Sequence, residues 1–124
     1  MCGIVAYIGT KPAKDLLLEG LKRLEYRGYD SAGIAIINGG LKVARSIGRV
    51  AGLEALVEND AGFDGSIGIA HTRWATHGPV TRENAHPHMD SQSRVAIVHN
   101  GIISNYRELR ARIRESGIVF TSDT

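Results

Sequence analysis

The pattern of hydrophobic residues changes within the first thirty positions from a continuous run to helical spacing. Residues 2–8 are almost entirely apolar and are followed by Gly9, which predicts a short buried strand. Thr10 and Pro12 have the composition of a helix start, with Thr10 as the capping residue. The apolar residues that recur at helical spacing after them are Ala13, Leu17, Leu21 and Leu24. We therefore expect a helix that ends before Gly28.

A hairpin and a short helix are predicted next. Residues 32–37 and 41–47 form two strand-like runs, and Asn38-Gly39-Gly40 between them has the composition of a tight turn. Val50, Leu53 and Val57 then support a short helix. Residues 67–70 are again a short apolar run, which predicts another strand.

The stretch from 72 to 93 shows neither the strand nor the helix period. A loop of about 20 residues is long for a small domain, and loops of this kind are often functional. Residues 94–98 are predicted to form a strand, and Asn105 followed by Glu108 indicates an N-capped helix that ends before Gly117. We expect a further strand to begin at residues 118–120.

Composition narrows the class of protein. The chain has 124 residues, of which 43% are hydrophobic and 23% charged, as in one folded domain. A single cysteine excludes a disulfide within the chain, and the net charge of +2 is too small to indicate a polyanionic partner. No apolar run approaches the ~18 residues of a membrane span, and no basic residue precedes Lys11. We expect a cytoplasmic protein.

The position of the cysteine suggests chemistry. Cys2 would become the first residue if Met1 were removed. Its α-amine would then have a pKa of ~7.7–8.0, so that the neutral amine can accept the thiol proton. Nucleophile and base would lie on one residue. The alternative from residue type alone is a small hydrophobic residue buried in a strand.

Two later segments contain groups that could bind a substrate. Arg73 offers a planar guanidinium suited to a carboxylate, and Trp74 could cover a small ligand. Both could equally be structural. Asn100 and Gly101 follow a predicted strand, where an amide and a backbone N–H could form an oxyanion hole, although the same pair is also typical of a hairpin turn.

The histidines and a group of arginines raise two other possible functions, metal binding and nucleic-acid binding. The five histidines invite a metal hypothesis, but their spacing fits no standard zinc pattern, and we expect no metal or cofactor. Four arginines between positions 107 and 114 make one helix basic, but acidic residues among them favour a solvated face over nucleic-acid binding. A non-catalytic module that binds metal or nucleic acid remains the alternative to an enzyme.

Several sequence strings occur in an order that is specific to one family. The chain resembles the class II, N-terminal-nucleophile glutamine amidotransferases. Within them it is most similar to the members that use fructose 6-phosphate, and less to phosphoribosyl-pyrophosphate amidotransferases. The strings are Cys2-Gly3-Ile4-Val5, residues 24–33, His71 to Gly78, Asn84-Ala85-His86-Pro87-His88 and Val98-His99-Asn100-Gly101.

The resemblance implies an α+β fold, in which two antiparallel sheets lie between helical layers as an αββα sandwich. It also implies hydrolysis of L-glutamine through a thioester on Cys2, with the oxyanion held by Asn100 and Gly101. Arg73 and Asp123 would bind the α-carboxylate and α-ammonium of glutamine. Trp74, Thr76 and His77 would lie in a closing loop, Arg27 would support the nucleophile, and His86 would lie near that loop.

The resemblance covers residues 1–124 and implies only the first part of such a domain. Ser122-Asp123-Thr124 is therefore expected to be a cut within the domain. In the complete enzyme the released ammonia would convert fructose 6-phosphate to glucosamine 6-phosphate, and a homo-oligomer is expected. Another class II amidotransferase with a different acceptor is the alternative within this family.

Overall fold

The structure, a computed structural model, describes residues 1–124. Two 3-10 turns, Glu25–Arg27 and Ala61–Phe63, connect the regular elements. None of the helices is long and apolar enough to span a membrane. The elements in chain order are β1 (Gly3–Ile8), α1 (Ala13–Leu24), β2 (Ser31–Ile37), β3 (Leu41–Ile47), α2 (Val50–Val57), β4 (Ile67–Arg73), β5 (His88–Met89), β6 (Ala96–Ile97) and α3 (Tyr106–Glu115).

The main sheet has the order β1-β4-β2-β3, and all of its neighbouring strands are antiparallel. Gly3 pairs with Thr72, and Ser31 pairs with Arg73. The beginnings of β1 and β2 therefore lie at the same end of the sheet as the end of β4. This register brings Cys2 next to the residues that follow Arg73, although they are more than seventy positions apart.

Helices α1 and α2 cover one face of the main sheet. Leu17 and Leu21 of α1 and Leu53 of α2 are fully buried against Ile34 and Ile36 of β2. Because side chains alternate along a strand, every second residue of β2 contributes to this core. Burial of apolar surface between the helices and the sheet is therefore the main interaction that stabilises α1, α2 and the main sheet.

The opposite face of the sheet carries isoleucines together with His71 and Arg73 of β4. Ile8, Ile37 and Ile47 remain more than half exposed on this face. The segment 83–87 covers another part of it, because Gly33 has no side chain. A Cβ atom on Gly33 would lie 2.0 Å from the carbonyl oxygen of His86.

Most predicted elements are confirmed, and the differences have local causes. The predicted cap at Thr10 is wrong, because α1 begins at Ala13, whose N–H donates to the Gly65 carbonyl at 2.8 Å. Strand β4 continues three residues beyond the predicted end at Ala70, since β1 and β2 pair with it on both sides as far as residues 72 and 73.

The second half of the chain departs further from the prediction. β5 lies within the segment predicted to lack structure, and β6 spans two residues of the predicted strand 94–98. The expected strand at 118–120 is wrong, since no strand pairs with these residues. The ring of Phe120 instead packs under the guanidinium of Arg110 at 4.5 Å.

Candidate active site

A cleft of about 400 Å³ lies at the end of the sheet where β1 begins and β4 ends. Most of the residues predicted to act on a substrate line it, together with His99, Ile102 and Thr124. The predicted lining residues are Cys2, Arg73, Trp74, Thr76, His77, His86, Asn100 and Gly101. Asp123 and Arg27 are not among the lining residues.

The thiol of Cys2 is held against the backbone of Trp74. The Trp74 N–H donates to Sγ at 3.3 Å, and the thiol donates to the Trp74 carbonyl at 3.6 Å. These two contacts fix the position of Sγ at the end of the sheet where the cleft lies. Gly28, which follows the 3-10 turn after α1, lies against the same backbone, and a Cβ there would lie 2.7 Å from the Arg73 carbonyl carbon.

Asn100 reaches Cys2 from a distant part of the chain. Its Nδ2 donates to the Cys2 carbonyl at 3.3 Å, and its Oδ1 lies 2.7 Å from Nε2 of His71. Gly101 follows directly and also lines the cleft. The amide N–H group of Asn100 is thus directed at the residue that carries the thiol, as an oxyanion hole requires.

Three histidines pack together behind this amide. The ring of His71 stacks on His86 at 4.3 Å, and His86 meets His88 at 4.4 Å. Burial, aided by the nearby charge of Arg73, lowers the pKa of His71 to about 4 and that of His86 to about 3, although the hydrogen bond to Asn100 opposes the shift at His71. Burial also lowers the pKa of His88. All three rings are therefore neutral at pH 7.

Arg73 is a buried cation without an acidic partner. Its guanidinium donates to the carbonyls of Pro79 at 3.0 Å and Gly78 at 3.2 Å, and to that of His77. It forms no ion pair, although its side chain lies at the end of a buried strand. An uncompensated buried charge is costly, so this position favours an anionic ligand in the cleft.

Asp123 is held at the side of the cleft by Asn84. The Asp123 N–H donates to Asn84 Oδ1 at 2.8 Å, and Asn84 Nδ2 lies 3.4 Å from the Asp123 carboxylate. The same Nδ2 donates to the Pro79 carbonyl at 3.1 Å. Asn84, which is fully buried, therefore connects Asp123 to the turn that surrounds the Arg73 guanidinium.

The residues after β4 form the rim of the cleft. Tyr29 packs edge-on against Trp74 with ring centroids 5.6 Å apart, and the Asp30 carboxylate accepts from the Ala75 N–H at 2.7 Å. His77 contacts the ring of Tyr106 at the start of α3, at 5.2 Å. The rim is thus attached both to the residues that precede β2 and to the start of α3.

Arg27, in the 3-10 turn after α1, does not line the cleft. Its Nη2 is 3.8 Å from the sulfur of Met1, and its buried Nε has no hydrogen-bond partner. The predicted support of the nucleophile by Arg27 remains a prediction.

The sequence did not assign a role to three residues that organise the site. They are His71, Asn84 and Asp30. All three lie in the sequence strings that carry the family resemblance, but those strings do not reveal which residue each of them contacts. No three His, Cys, Asp or Glu side chains converge in an arrangement that could hold a metal ion.

Sequence comparisons identify the proteins that this chain resembles. A family model described as a glutamine amidotransferase domain matches residues 58–124. The glutamine–fructose-6-phosphate aminotransferase [isomerizing] of Mycolicibacterium smegmatis is 56% identical and is aligned with the whole chain and 21% of its own length. The protein of the same name from Chlorobaculum tepidum is 53% identical, with 20% of its length aligned. The chain thus spans about a fifth of the length of these curated relatives.

Solved structures show the same fold. Glutamine phosphoribosylpyrophosphate amidotransferase from B. subtilis superimposes on the whole chain with a TM-score of 0.79 and 26% identity, over 27% of its own chain. A structure described as the allosteric regulatory enzyme of purine biosynthesis covers 97% of this chain and 26% of its own, with a TM-score of 0.77 and 27% identity.

The fold and the cysteine-centred cleft define the N-terminal-nucleophile class of amidotransferases, which confirms the predicted fold class. The family model covers more than half of the residues, and the relatives align along the whole chain. The chain belongs to the glutamine amidotransferase domain family.

Proposed function

We propose that this chain hydrolyses the side-chain amide of L-glutamine and supplies the ammonia for the synthesis of glucosamine 6-phosphate from fructose 6-phosphate. Residues 1–124 would be the N-terminal part of the glutamine-hydrolysing domain. The carrying observation is that Cys2, Arg73 and Asn100, from three distant segments, line one cleft.

The proposed chemistry begins at the thiol. Sγ of Cys2 attacks the amide carbon of glutamine, and the thiol proton passes to the α-amine of the same residue. The carbonyl oxygen becomes an oxyanion that accepts from Asn100 Nδ2 and the Gly101 N–H. The α-ammonium returns the proton to the amide nitrogen as the C–N bond breaks, which releases ammonia and leaves a thioester. Water then attacks the thioester, so that glutamate leaves and the thiol is restored.

Recognition of the α-amino acid group requires two opposite charges. The unpaired Arg73 guanidinium retains two N–H groups beyond its three carbonyl contacts, and these would bind the α-carboxylate. The Asp123 carboxylate, held by Asn84, would bind the α-ammonium. Trp74, Thr76 and His77 at the rim would close over the substrate, with His86 on the wall behind it.

The base in this mechanism requires removal of Met1. While Met1 is attached, the nitrogen of Cys2 is part of a peptide bond and cannot accept a proton. The side chain of Met1 is 77% exposed, and regular pairing in β1 begins only at Gly3. An aminopeptidase could therefore remove Met1 without disrupting the sheet.

The test is covalent labelling of the natural full-length protein with 6-diazo-5-oxo-norleucine, an electrophilic analogue of glutamine. We expect one label on Cys2, located by mass spectrometry, and no label on the Cys2→Ala variant. A second control with an uncleavable N-terminal extension should also remain unlabelled, because its α-amine is blocked. Equal labelling of the Cys2→Ala variant would refute the proposal.

The acceptor is tested separately. The two aminotransferases named above are the basis for proposing fructose 6-phosphate, and the acceptor would bind outside these 124 residues. Formation of glucosamine 6-phosphate from glutamine and fructose 6-phosphate by the full-length protein supports it. Glutamine hydrolysis without that product would indicate a different acceptor. We also propose a cytoplasmic homo-oligomer, which light scattering and cell fractionation would check.

A further inference from the structure

His71 makes a close contact with a proposed catalytic group without reaching the cleft itself. It lies on β4 with 1% of its surface exposed, and its Nε2 is 2.7 Å from Oδ1 of Asn100. We propose that His71 is a positioning residue that holds the Asn100 amide with its N–H group, rather than its carbonyl oxygen, facing Cys2. This inference rests on the proposed function.

The amide needs such a partner because its two ends have nearly the same shape. A half-turn about the last bond of Asn100 would exchange Nδ2 and Oδ1. An oxygen would then face the developing oxyanion and repel it, where a donor is needed. Asn100 is exposed, and apart from His71 its side chain forms a hydrogen bond only with the Cys2 carbonyl, at 3.3 Å. A bond from His71 to Oδ1 selects one of the two orientations.

The surroundings of His71 select the matching form of its ring. Oδ1 can only accept, so Nε2 must carry the hydrogen. Nδ1 is buried and has no partner. In the neutral ring Nδ1 is then an unpaired acceptor, which is tolerated more readily than a buried N–H without a partner. The opposite tautomer would place that N–H at Nδ1 and leave Nε2 facing Oδ1 as a second acceptor.

The plane of the ring is fixed by packing. His86 stacks on it with an interplanar angle of 28°. His71 pairs across the sheet with Gly33, whose missing side chain lets the backbone of His86 approach. The donor of His71 therefore points in one direction before any substrate binds, which is what a preorganised oxyanion hole requires.

The experiment compares three substitutions in the natural full-length protein. His71→Gln keeps an N–H donor near the position of Nε2. His71→Asn places its donor nearer Nδ1, and His71→Leu has none. We expect His71→Leu and His71→Asn to lower kcat for glutamine hydrolysis about 10- to 100-fold, with KM for glutamine within about 3-fold. His71→Gln should recover most of kcat.

A double-mutant cycle shows whether the effect passes through Asn100. Adding His71→Leu to Asn100→Ala should lower kcat little further, because the amide is already absent. Equal loss in all three His71 variants, or fully additive losses in the cycle, would overturn the proposal in favour of a general packing role. Alkylation of Cys2 by iodoacetamide should be equal in all folded variants.

A measurement on the unmodified protein is independent of folding defects in the variants. The ¹⁵N spectrum of His71 should show a proton on Nε2, whereas a proton on Nδ1 would overturn the proposal. If the parent protein hydrolyses no glutamine, the proposed function fails while the tautomer remains measurable. The two failures are therefore distinguishable.

Discussion

Substitution of Gly28 by alanine tests whether its close approach to the backbone of Arg73 and Trp74, beside Cys2, is required. The backbone of Gly28 is extended, with φ of −175°, so alanine can adopt its conformation. The obstacle is space: the new Cβ would lie 2.7 Å from the Arg73 carbonyl carbon and 2.8 Å from the Trp74 nitrogen. Both are backbone atoms, which cannot rotate away.

The size of the effect follows from these distances. Ordinary carbon contacts begin near 3.4 Å, so the end of β4 must shift by about 0.7 Å. Overpacking of this kind costs about 1–3 kcal/mol of unfolding free energy. The same shift would stretch the 3.3 Å hydrogen bond from Trp74 to the Cys2 thiol. Since a misplacement of about 1 Å can cost about 100-fold in rate, we expect kcat to fall at least about 10-fold.

The assay is glutamate release by the full-length protein, combined with urea denaturation. Gly40→Ala is the matched control, because no atom lies within 4 Å of its Cβ position and its φ is not in the left-handed region. That control should keep kcat and gain about 0.5 kcal/mol from reduced freedom of the unfolded chain. A Gly28→Ala protein with unchanged kcat and stability would refute the steric argument.

Three further predictions follow from burial and hydrogen bonding. Burial lowers the pKa of His71 to about 4 and that of His86 to about 3, below the ~6.5 of an unfolded histidine. The unfolded chain therefore binds more protons than the folded chain below pH 6.5. For His71 alone, the unfolding free energy measured by urea denaturation should fall by about 2–3 kcal/mol between pH 7 and 4.5. An unfolding free energy that does not change over this pH range would refute the prediction. Asn84→Ala should raise KM for glutamine about 10-fold with little change in kcat, because the positions of Arg73 and Asp123 relax together; a loss confined to kcat would contradict this. Leu17→Ala should cost about 2–5 kcal/mol in urea denaturation, whereas its exposed neighbour Leu16→Ala should cost under about 1 kcal/mol, and equal losses would refute the assignment of the core.

The elements with strong local signals were predictable from the sequence. The Asn38-Gly39-Gly40 turn between two apolar runs determined the hairpin, and the leucines of α1 determined its buried face. The end of β4 was not predictable, because His71, Thr72 and Arg73 are polar. They extend the strand only because β1 and β2 pair with it on both sides. Tertiary pairing therefore overrode the local preference.

In the candidate site, too, some residues were predictable from the sequence and others were not. Cys2, Arg73 and Asn100 were chosen for their chemistry and family strings, and the structure brings them to one cleft. The contact of His71 with Asn100 spans 29 positions, and that of Asn84 with Asp123 spans 39. No spacing rule connects residues so far apart. Supporting residues of this kind become visible only when the fold places their polar atoms within hydrogen-bond distance.

The order of strands in the main sheet also sets a sequence of events during synthesis. The only partner of β1 is β4, and the residue opposite Gly3 is Thr72. At about 5–20 residues per second, the ribosome needs roughly 4–14 seconds after Cys2 to reach Trp74. Until then β1 lacks the strand with which it pairs in the folded protein. If Met1 is excised as proposed, the excision therefore has a period of several seconds before the cleft around Cys2 can assemble.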